Sequence, residues 1–162
     1  MHQKVLYPGS FDPITFGHID IIERLSRLYP EIVVLIANAP HKNYLFSAEE
    51  RAGLIQECLK KLKNVKVAIH DGLTVDYAKK HKASIIIRGL RAVSDFEYEM
   101  AMANSNRHLS QDVETLIVFA RPDLSYVSSR MVKEVATHGG NVKDLVPQPV
   151  VKALQLKIKG KK

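Results

Sequence analysis

The segment YPGSFDPITFGHIDIIERL, Tyr7 to Leu25, combines residue types that suit an anionic ligand. Gly9 and Ser10 follow a short apolar run, and Thr15 precedes a helical period as a potential N-cap. His18 then falls in the first helical turn, where free N–H groups and the helix dipole attract anions. A neutral imidazole N–H at this place could donate a hydrogen bond to charge that develops on phosphorus.

The alternative is that His18 is a packed core residue. It shares a helical face with Ile22 and Leu25, four and seven residues later, and spacing alone favours this alternative. The loop before it contains a hydroxyl at Ser10 and is bounded by glycines. This context favours a phosphate site.

Two further loops after predicted strands contain cations. Lys42 lies in NAPHKNYLFS, where a loop lysine is most often solvated surface. The strand in IIIRGLR leads directly into Arg88, Gly89 and Arg91. Planar guanidinium groups match phosphate oxygens, so the two arginines favour an anion site at the carboxyl end of this strand.

Two polar groups allow both a structural and a functional interpretation. Asp95, Glu99, Met102 and Asn106 form one stripe of the next helix, and such a stripe is most often a solvent face. Glu99 would alternatively accept hydrogen bonds from a ribose or a base. In DLSYVSSRMVKEV, the serines 128 and 129 precede a helix as N-caps, and the same geometry suits a second phosphate.

Short runs rich in Val and Ile alternate with helical segments, as in sheets of buried parallel strands. The predicted strands are Val5–Tyr7, Ile32–Ala37, Val65–Ile69, Ser84–Ile87 and Thr115–Phe119. The predicted helices are roughly Gly17–Tyr29, Ala48–Leu62, Val75–Lys80, Asp95–His108 and Ser129–His138, with a last helix after Pro149. This order predicts an α/β fold, a single doubly wound Rossmann-like domain with a five-stranded parallel sheet and ligands at the carboxyl strand ends.

Composition limits the class of protein. With 162 residues, 46% of them hydrophobic and 25% charged, the chain suits one globular domain over residues 1–162. Its apolar runs are too short to span a bilayer, and the N-terminus lacks a signal-peptide pattern, so we expect a cytoplasmic protein without membrane contact. The single cysteine, Cys58, has helical spacing with leucines and is predicted to be a core residue, not a nucleophile.

The net charge of +7 is concentrated at one end. Four lysines fall in the last six residues, KIKGKK, which predicts a frayed basic tail at about 157–162. No arginine-rich helix is present, so the sequence favours small anionic ligands in a cleft over nucleic acid.

Two motifs resemble a known superfamily. GSFDPITFGHIDII resembles the [ST]-x-F-D-P-x-x-x-G-H element of nucleotidyltransferases with the T/H-x-G-H signature, and YVSSRMVKEV resembles their I-S-S-type element. IIIRGLRAVSDFEYEMAMANSNRHL resembles the long signature of the bacterial phosphopantetheine adenylyltransferase family, and the similarity runs in order from Tyr7 nearly to Pro147. The resemblance implies transfer of AMP from ATP to 4′-phosphopantetheine, giving dephospho-coenzyme A and pyrophosphate in coenzyme A biosynthesis, with Mg²⁺.

The resemblance also implies residue roles. The implied catalytic residues are His18, at the transferring α-phosphate, and Lys42 and Arg88, at the pantetheine phosphate. Ser10 and a backbone contact at Thr74 complete the substrate site. The implied ATP-binding residues are Ser10, Phe11, His18, Gly89, Leu90, Arg91, Glu99, Leu124, Ser125, Tyr126, Val127, Ser128, Ser129 and Arg130, and no residue is assigned as a metal ligand.

This sequence departs from the family at two ATP-site positions. Arg130 stands where many relatives carry Ser or Thr, and Leu124 stands where some carry an aromatic residue. The resemblance further implies a homohexamer and feedback inhibition by coenzyme A. A phosphate monoester is largely dianionic near neutral pH, so the implied reaction needs no general base.

Three alternatives remain. A related nucleotidyltransferase that uses CTP or a nicotinamide mononucleotide acceptor would share the fold and the first motif. A nucleic-acid-binding module would fit the basic pI, and a nonenzymatic nucleotide sensor would fit the loops.

Overall fold

The computed structural model describes residues 4–39 and 42–159. A five-stranded, all-parallel sheet has the order β3-β2-β1-β4-β5. Its strands are β1 (Lys4–Gly9), β2 (Glu31–Ala37), β3 (Val65–His70), β4 (Ile85–Leu90) and β5 (Glu114–Phe119). The predicted α/β fold with five parallel strands is confirmed.

Six α-helices within the described ranges connect or follow these strands. They are α1 (Phe16–Leu28), α2 (Ala48–Leu59), α3 (Thr74–Lys80), α4 (Val93–Leu109), α5 (Ser129–Thr137) and α6 (Gln148–Lys159). None of them is long and apolar enough to cross a membrane.

The structure corrects several predicted boundaries. β4 continues to Leu90, so Arg88 and Gly89 are strand residues and not loop residues. Helix α2 ends at Leu59 instead of Leu62, and α6 already begins at Gln148. The β4 difference arises because its last residues pair with β5 through Leu90, which sequence alone does not reveal.

Successive residues of a strand point to opposite faces of the sheet. The central strands β1, β2 and β4 are largely buried on both faces, whereas the edge strands β3 and β5 are partly exposed. Val5 and Tyr7 belong to the larger core cluster, together with residues of α1, α2, α5 and α6. Leu6 belongs to a smaller cluster on the other face, with α3 residues. Cys58 packs against the larger cluster, and burial raises the pKa of its thiol to about 11, which agrees with a structural role.

The predicted frayed tail is wrong for its described part. Residues 157–159 continue helix α6, and Lys157 Nζ donates to both carboxylate oxygens of Glu50 at 2.6 and 2.8 Å. This ion pair joins α6 to the first turn of α2. Residues 160–162 lie outside the described residues.

Asp12 joins the loops that follow β1 and β2. Its side chain is buried and accepts hydrogen bonds from the N–H groups of Leu45 and Phe46, each at 2.9 Å. Lys133 Nζ of α5 donates to the same carboxylate at 2.6 Å. One buried acid therefore holds three segments together.

We expect Asp12→Ala to lower the free energy of unfolding by about 3 kcal/mol, because the substitution leaves a lysine and two amides without their acceptor. Urea unfolding followed by circular dichroism measures this change. Asp123→Ala removes an exposed ion pair with Arg121 and serves as the control, with a much smaller expected loss. Equal losses for the two variants would contradict the structural role of Asp12.

Candidate active site

A cleft of about 440 Å³ lies at the carboxyl ends of β1 and β4. The chain builds the sheet outward from β1 to β2 and β3, then crosses back to β4 and β5, so the strand order reverses between β1 and β4. Open α/β sheets bind ligands at such a reversal, because the loops diverge there and leave a gap. Helices α1 and α5 both begin beside this cleft.

Most of the predicted site residues line the cleft. They are Ser10, Phe11, His18, Lys42, Arg88, Gly89, Arg91, Glu99, Val127, Ser128, Ser129 and Arg130. Five predicted residues do not line it, namely Thr74, Leu90, Leu124, Ser125 and Tyr126. Thr74 begins α3, and Leu90 is buried beside Phe96 in a separate apolar pocket. Leu124 ends a short 3₁₀ helix, Pro122–Leu124, and Ser125 and Tyr126 form the turn that follows it.

His18 is oriented by the start of α1. Thr15 is the N-cap, as predicted, and its backbone N–H donates to His18 Nδ1 at 3.1 Å. Because Nδ1 accepts this hydrogen, the neutral ring carries its proton on Nε2. The ring also packs edge-on against Phe11, with centroids 5.1 Å apart.

The environment keeps His18 neutral. Burial, together with the positive charge of Arg91, lowers the pKa of His18 to about 4. Ile22 belongs to the core, whereas His18 lines the cleft, so the alternative of a purely packed core histidine is wrong. At neutral pH, His18 can serve as a hydrogen-bond donor but not as a cation.

Arg88 is held by Glu99. Its Nε and Nη2 donate to the two carboxylate oxygens at 2.5 and 2.8 Å, and Nη1 donates to the Pro8 carbonyl at 3.4 Å. Burial opposes the charge of Arg88, but the hydrogen bonds and charge of Glu99 more than offset it, so the pKa of Arg88 is raised. The arginine is thus fixed in the cleft as a cation.

The polar stripe of α4 does not form the solvent face that the sequence favoured. Glu99 and Asn106 are buried, and Asn106 Nδ2 donates to Thr115 Oγ1 of β5 at 3.2 Å. The exposed side of α4 instead carries apolar residues such as Val93 and Phe96. Tertiary packing has placed the polar stripe against the sheet, because Arg88 and Thr115 supply its hydrogen-bond partners.

Helix α5 begins with two serines whose hydroxyls are already engaged. Ser128 Oγ accepts from the N–H of Met131 at 3.1 Å, which makes it the predicted N-cap. Ser129 Oγ donates to the Pro13 carbonyl at 2.7 Å. The N–H groups of the first turn, at Ser129 and Arg130, have no intrahelical acceptor and are suited to an anion.

Tyr7 lines the cleft but was missed at the level of sequence. Its side chain borders the cleft and is only 4% exposed. Burial raises its pKa above the usual range, so the hydroxyl stays protonated. The available signal was an aromatic residue in an otherwise aliphatic strand, directly before the glycine loop.

Gly89 lies in close contact with α1 and β1. A Cβ at position 89 would lie 2.9 Å from Ile21 Cδ1 and 3.3 Å from Tyr7 Oη. A larger residue would therefore require the ends of these two side chains to shift.

The comparisons with known proteins identify the family of this chain. Residues 6–135 match the family model described as cytidylyltransferase-like. The chain belongs to this family. It is also 60% identical over 159 residues to the phosphopantetheine adenylyltransferase of Bdellovibrio bacteriovorus, with 98% of this chain and 99% of that relative covered.

Two solved structures have a similar fold. A Vibrio parahaemolyticus protein, provisionally identified as a nicotinate-nucleotide adenylyltransferase, superposes with a TM-score of 0.72 at 15% identity, covering 96% of this chain and 99% of that one. The Plasmodium falciparum nicotinic acid mononucleotide adenylyltransferase complexed with NaAD gives 0.66 at 17% identity, with 93% and 94% covered. At these identities the likeness shows the fold alone.

We expect the NMR titration of the His18 ring to give a pKa near 4, with the neutral form present from pH 5 upward. Because the unfolded chain takes up this proton near pH 6.5, stability contributed by the neutral ring is present above pH 6.5 and is lost as pH falls toward 4. In urea unfolding, the free energy of unfolding of His18→Gln should decrease less between pH 6.5 and pH 4 than that of the unchanged protein. A measured pKa near 6.5 would contradict the assignment.

Proposed function

We propose that the chain is an adenylyltransferase that transfers AMP from ATP to 4′-phosphopantetheine, giving dephospho-coenzyme A and pyrophosphate. The observation that carries the proposal is the meeting of His18, Lys42 and Arg88 in one cleft, in a chain 60% identical to a named phosphopantetheine adenylyltransferase. The phosphopantetheine acceptor and the ATP donor both present anionic groups to such a cleft.

The proposed reaction is an in-line displacement at the α-phosphorus of ATP. A phosphate oxygen of the acceptor forms the new P–O bond, and the bond to the departing pyrophosphate breaks. The nucleophile is already a dianion, so no side chain has to remove a proton. This matches a neutral His18, whose Nε2–H would donate to a non-bridging oxygen as charge develops there.

Electrostatic repulsion is the main obstacle to this reaction. Two unit charges about 4 Å apart repel by about 4 kcal/mol at an effective dielectric constant of about 20, and both substrates carry several charges. Lys42 and Arg88 would bind the acceptor phosphate, and Arg91 and Arg130 would bind the triphosphate. Positioning and charge neutralisation would then supply most of the catalysis.

The cleft suits a Mg²⁺ ion that arrives with the triphosphate. Glu99 is the only carboxylate among the described lining residues, and Arg88 already occupies both of its oxygens. No group of three or more metal-binding acids, histidines or cysteines occurs in the described ranges. Mg²⁺ commonly binds through substrate phosphates and water, and it would neutralise phosphate charge here.

The direct test is to incubate the pure protein with ATP, Mg²⁺ and 4′-phosphopantetheine and to detect dephospho-coenzyme A by mass spectrometry. Parallel reactions with CTP, or with nicotinate or nicotinamide mononucleotide as acceptor, test the related nucleotidyltransferases by pyrophosphate release. Product from one of these alone would replace the proposal. Tight RNA binding, or ATP binding without turnover, would favour the two nonenzymatic alternatives.

We expect His18→Ala to lower kcat by about 10²- to 10³-fold, the usual cost of one lost oxyanion donor, while the Kd for ATP changes less than about twofold. Steady-state kinetics and calorimetry measure the two quantities. His138→Ala, at an exposed position outside the cleft, is the control. Near-normal turnover of His18→Ala would exclude the proposed role.

We expect Lys42→Ala and Arg88→Ala to raise the KM for phosphopantetheine more than the KM for ATP. Arg88→Ala also leaves the buried carboxylate of Glu99 without its cation. Glu99→Gln is therefore included to separate loss of the ion pair from loss of the cation. Lys152→Ala, on the exposed side of α6, is the control for Lys42. Equal increases for both substrates would argue against the acceptor assignment.

We also propose a homohexamer with feedback inhibition by coenzyme A. Apolar side chains of α4 and β5 are exposed, including Val93 at 89% and Phe119 at 69%, which is typical of an assembly surface. Coenzyme A contains the same phosphopantetheine unit as the product and would compete for the cleft. Light scattering on Phe119→Glu, compared with the unchanged protein, tests the assembly. The cytoplasmic location stays a prediction.

A further inference from the structure

Arg51 is a buried cation without a carboxylate partner. It lies in the first turns of α2, its side chain is 1% exposed, and no acidic group within residues 4–39 and 42–159 is in ion-pair distance. Burying a charge costs free energy unless hydrogen bonds replace its hydration. The groups that receive its hydrogen bonds therefore indicate what the residue is for.

All three of its hydrogen bonds hold backbone or loop groups near the cleft. Nη1 donates to the Ser10 carbonyl at 2.8 Å, Nη2 to Asn38 Oδ1 at 2.8 Å, and Nε to the Ser47 carbonyl at 3.2 Å. Ser10 belongs to the loop after β1, and Asn38 belongs to the loop after β2. One guanidinium group thus fixes the two loops relative to each other.

A second set of contacts leads from Arg51 to the backbone of Lys42. The guanidinium Cζ lies 4.0 Å from the ring centroid of Tyr44. Tyr44 Oη accepts from the N–H of Ala39 at 2.9 Å, and the Ala39 carbonyl accepts from the N–H of Lys42 at 3.1 Å. Arg51 therefore contacts residues on both sides of Lys42, namely Asn38 and Tyr44. These two residues and Lys42 are called the Lys42 segment below.

The hydrogen bond from Arg51 to the Ser10 carbonyl also supports the other side of the cleft, where Phe11 and His18 lie. Phe11, the next residue, has a φ of 47°, a left-handed conformation that a side chain larger than glycine rarely adopts. Its ring packs against His18. Fixing the carbonyl before this unusual residue helps to hold the ring that borders His18.

We propose that Arg51 is a positioning residue that sets the distance between the Lys42 segment and the Ser10 loop. Lys42 can then bind the acceptor phosphate where it is in line for attack. Arg51 itself touches neither substrate, since it does not line the cleft. The part that concerns the acceptor rests on the proposed function.

Kinetics test the acceptor part. Arg51→Lys keeps the charge but cannot bridge Ser10 and Asn38, so we expect the KM for phosphopantetheine to rise roughly tenfold, with the KM for ATP within about twofold. In a Lys42→Ala background, Arg51→Lys should add less than about twofold, because both changes remove the same interaction. Additive effects, or equal changes in both KM values, would overturn the proposal.

Matched variants separate positioning from stability. Asn38→Ala and Tyr44→Leu each remove one support and leave the buried cation in place, so they should reproduce a smaller rise in the same KM. Lys157→Met breaks the Glu50 ion pair of the same helix. Lys157 borders the loop after β2 only at the Phe46 ring, 5.8 Å from its Nζ, and it makes no hydrogen bond to Ser10, Asn38 or Tyr44, so the substitution should leave both KM values unchanged. A KM shift in Lys157→Met as large as that in Asn38→Ala would also overturn the proposal.

Hydrogen exchange tests the support independently of the substrate. The amides of Ala39 and Lys42 should exchange faster in Arg51→Lys and in Asn38→Ala, while amides of α6 stay unchanged. Unaltered exchange at Ala39 and Lys42 would refute the support itself. Faster exchange in a protein that forms no dephospho-coenzyme A would contradict the proposed function and retain the support.

Discussion

The reversal of strand order between β1 and β4 is the constraint on which the site depends. The chain runs from β1 to β2 and β3 on one side of β1, and then returns to β4 and β5 on the other side. The loops after β1 and β4 must therefore leave in different directions. The resulting gap receives the start of α1 and the start of α5, and with them His18 and the first-turn N–H groups of Ser129 and Arg130.

The cleft brings several cations together, and their charges repel one another. Two of them are compensated by acids of α4, Arg88 by Glu99 and Arg91 by Asp95. His18 avoids adding to the charge because burial and Arg91 lower its pKa. Behind the cleft, Arg51 is stabilised by carbonyl dipoles and an aromatic ring instead of an acid. The arrangements at Arg88, Arg91 and His18 limit repulsion and keep these side chains at the cleft.

Helix α4 shows how a site changes the usual pattern of burial. A helix on a sheet normally buries its apolar stripe, but α4 buries Glu99 and Asn106 and exposes Val93 and Phe96. The buried carboxylate of Glu99 pairs with Arg88, so the polar stripe of α4 is needed to hold this cation in the cleft. The apolar side of α4 stays exposed and would pack against another subunit, which is the physical basis of the proposed assembly.

The sequence by itself determined the alternation of strands and helices, and with it the parallel sheet and the edge at which the cleft lies. It also located His18, Lys42, Arg88 and Arg91, because glycines, hydroxyls and cations after apolar runs are a local signal. The resemblance of its motifs to a known family also predicted the proposed reaction. Local patterns could do this because they depend on residues adjacent in the chain.

Tertiary structure alone decided which groups face each other. The pairing of Arg88 with Glu99 and the supports around Arg51 join residues that are distant in sequence. The burial of the polar stripe of α4 and the helical state of Lys157 depend likewise on partners elsewhere in the chain. Periodicity cannot predict them, because it describes one segment at a time and gives no information about its neighbour.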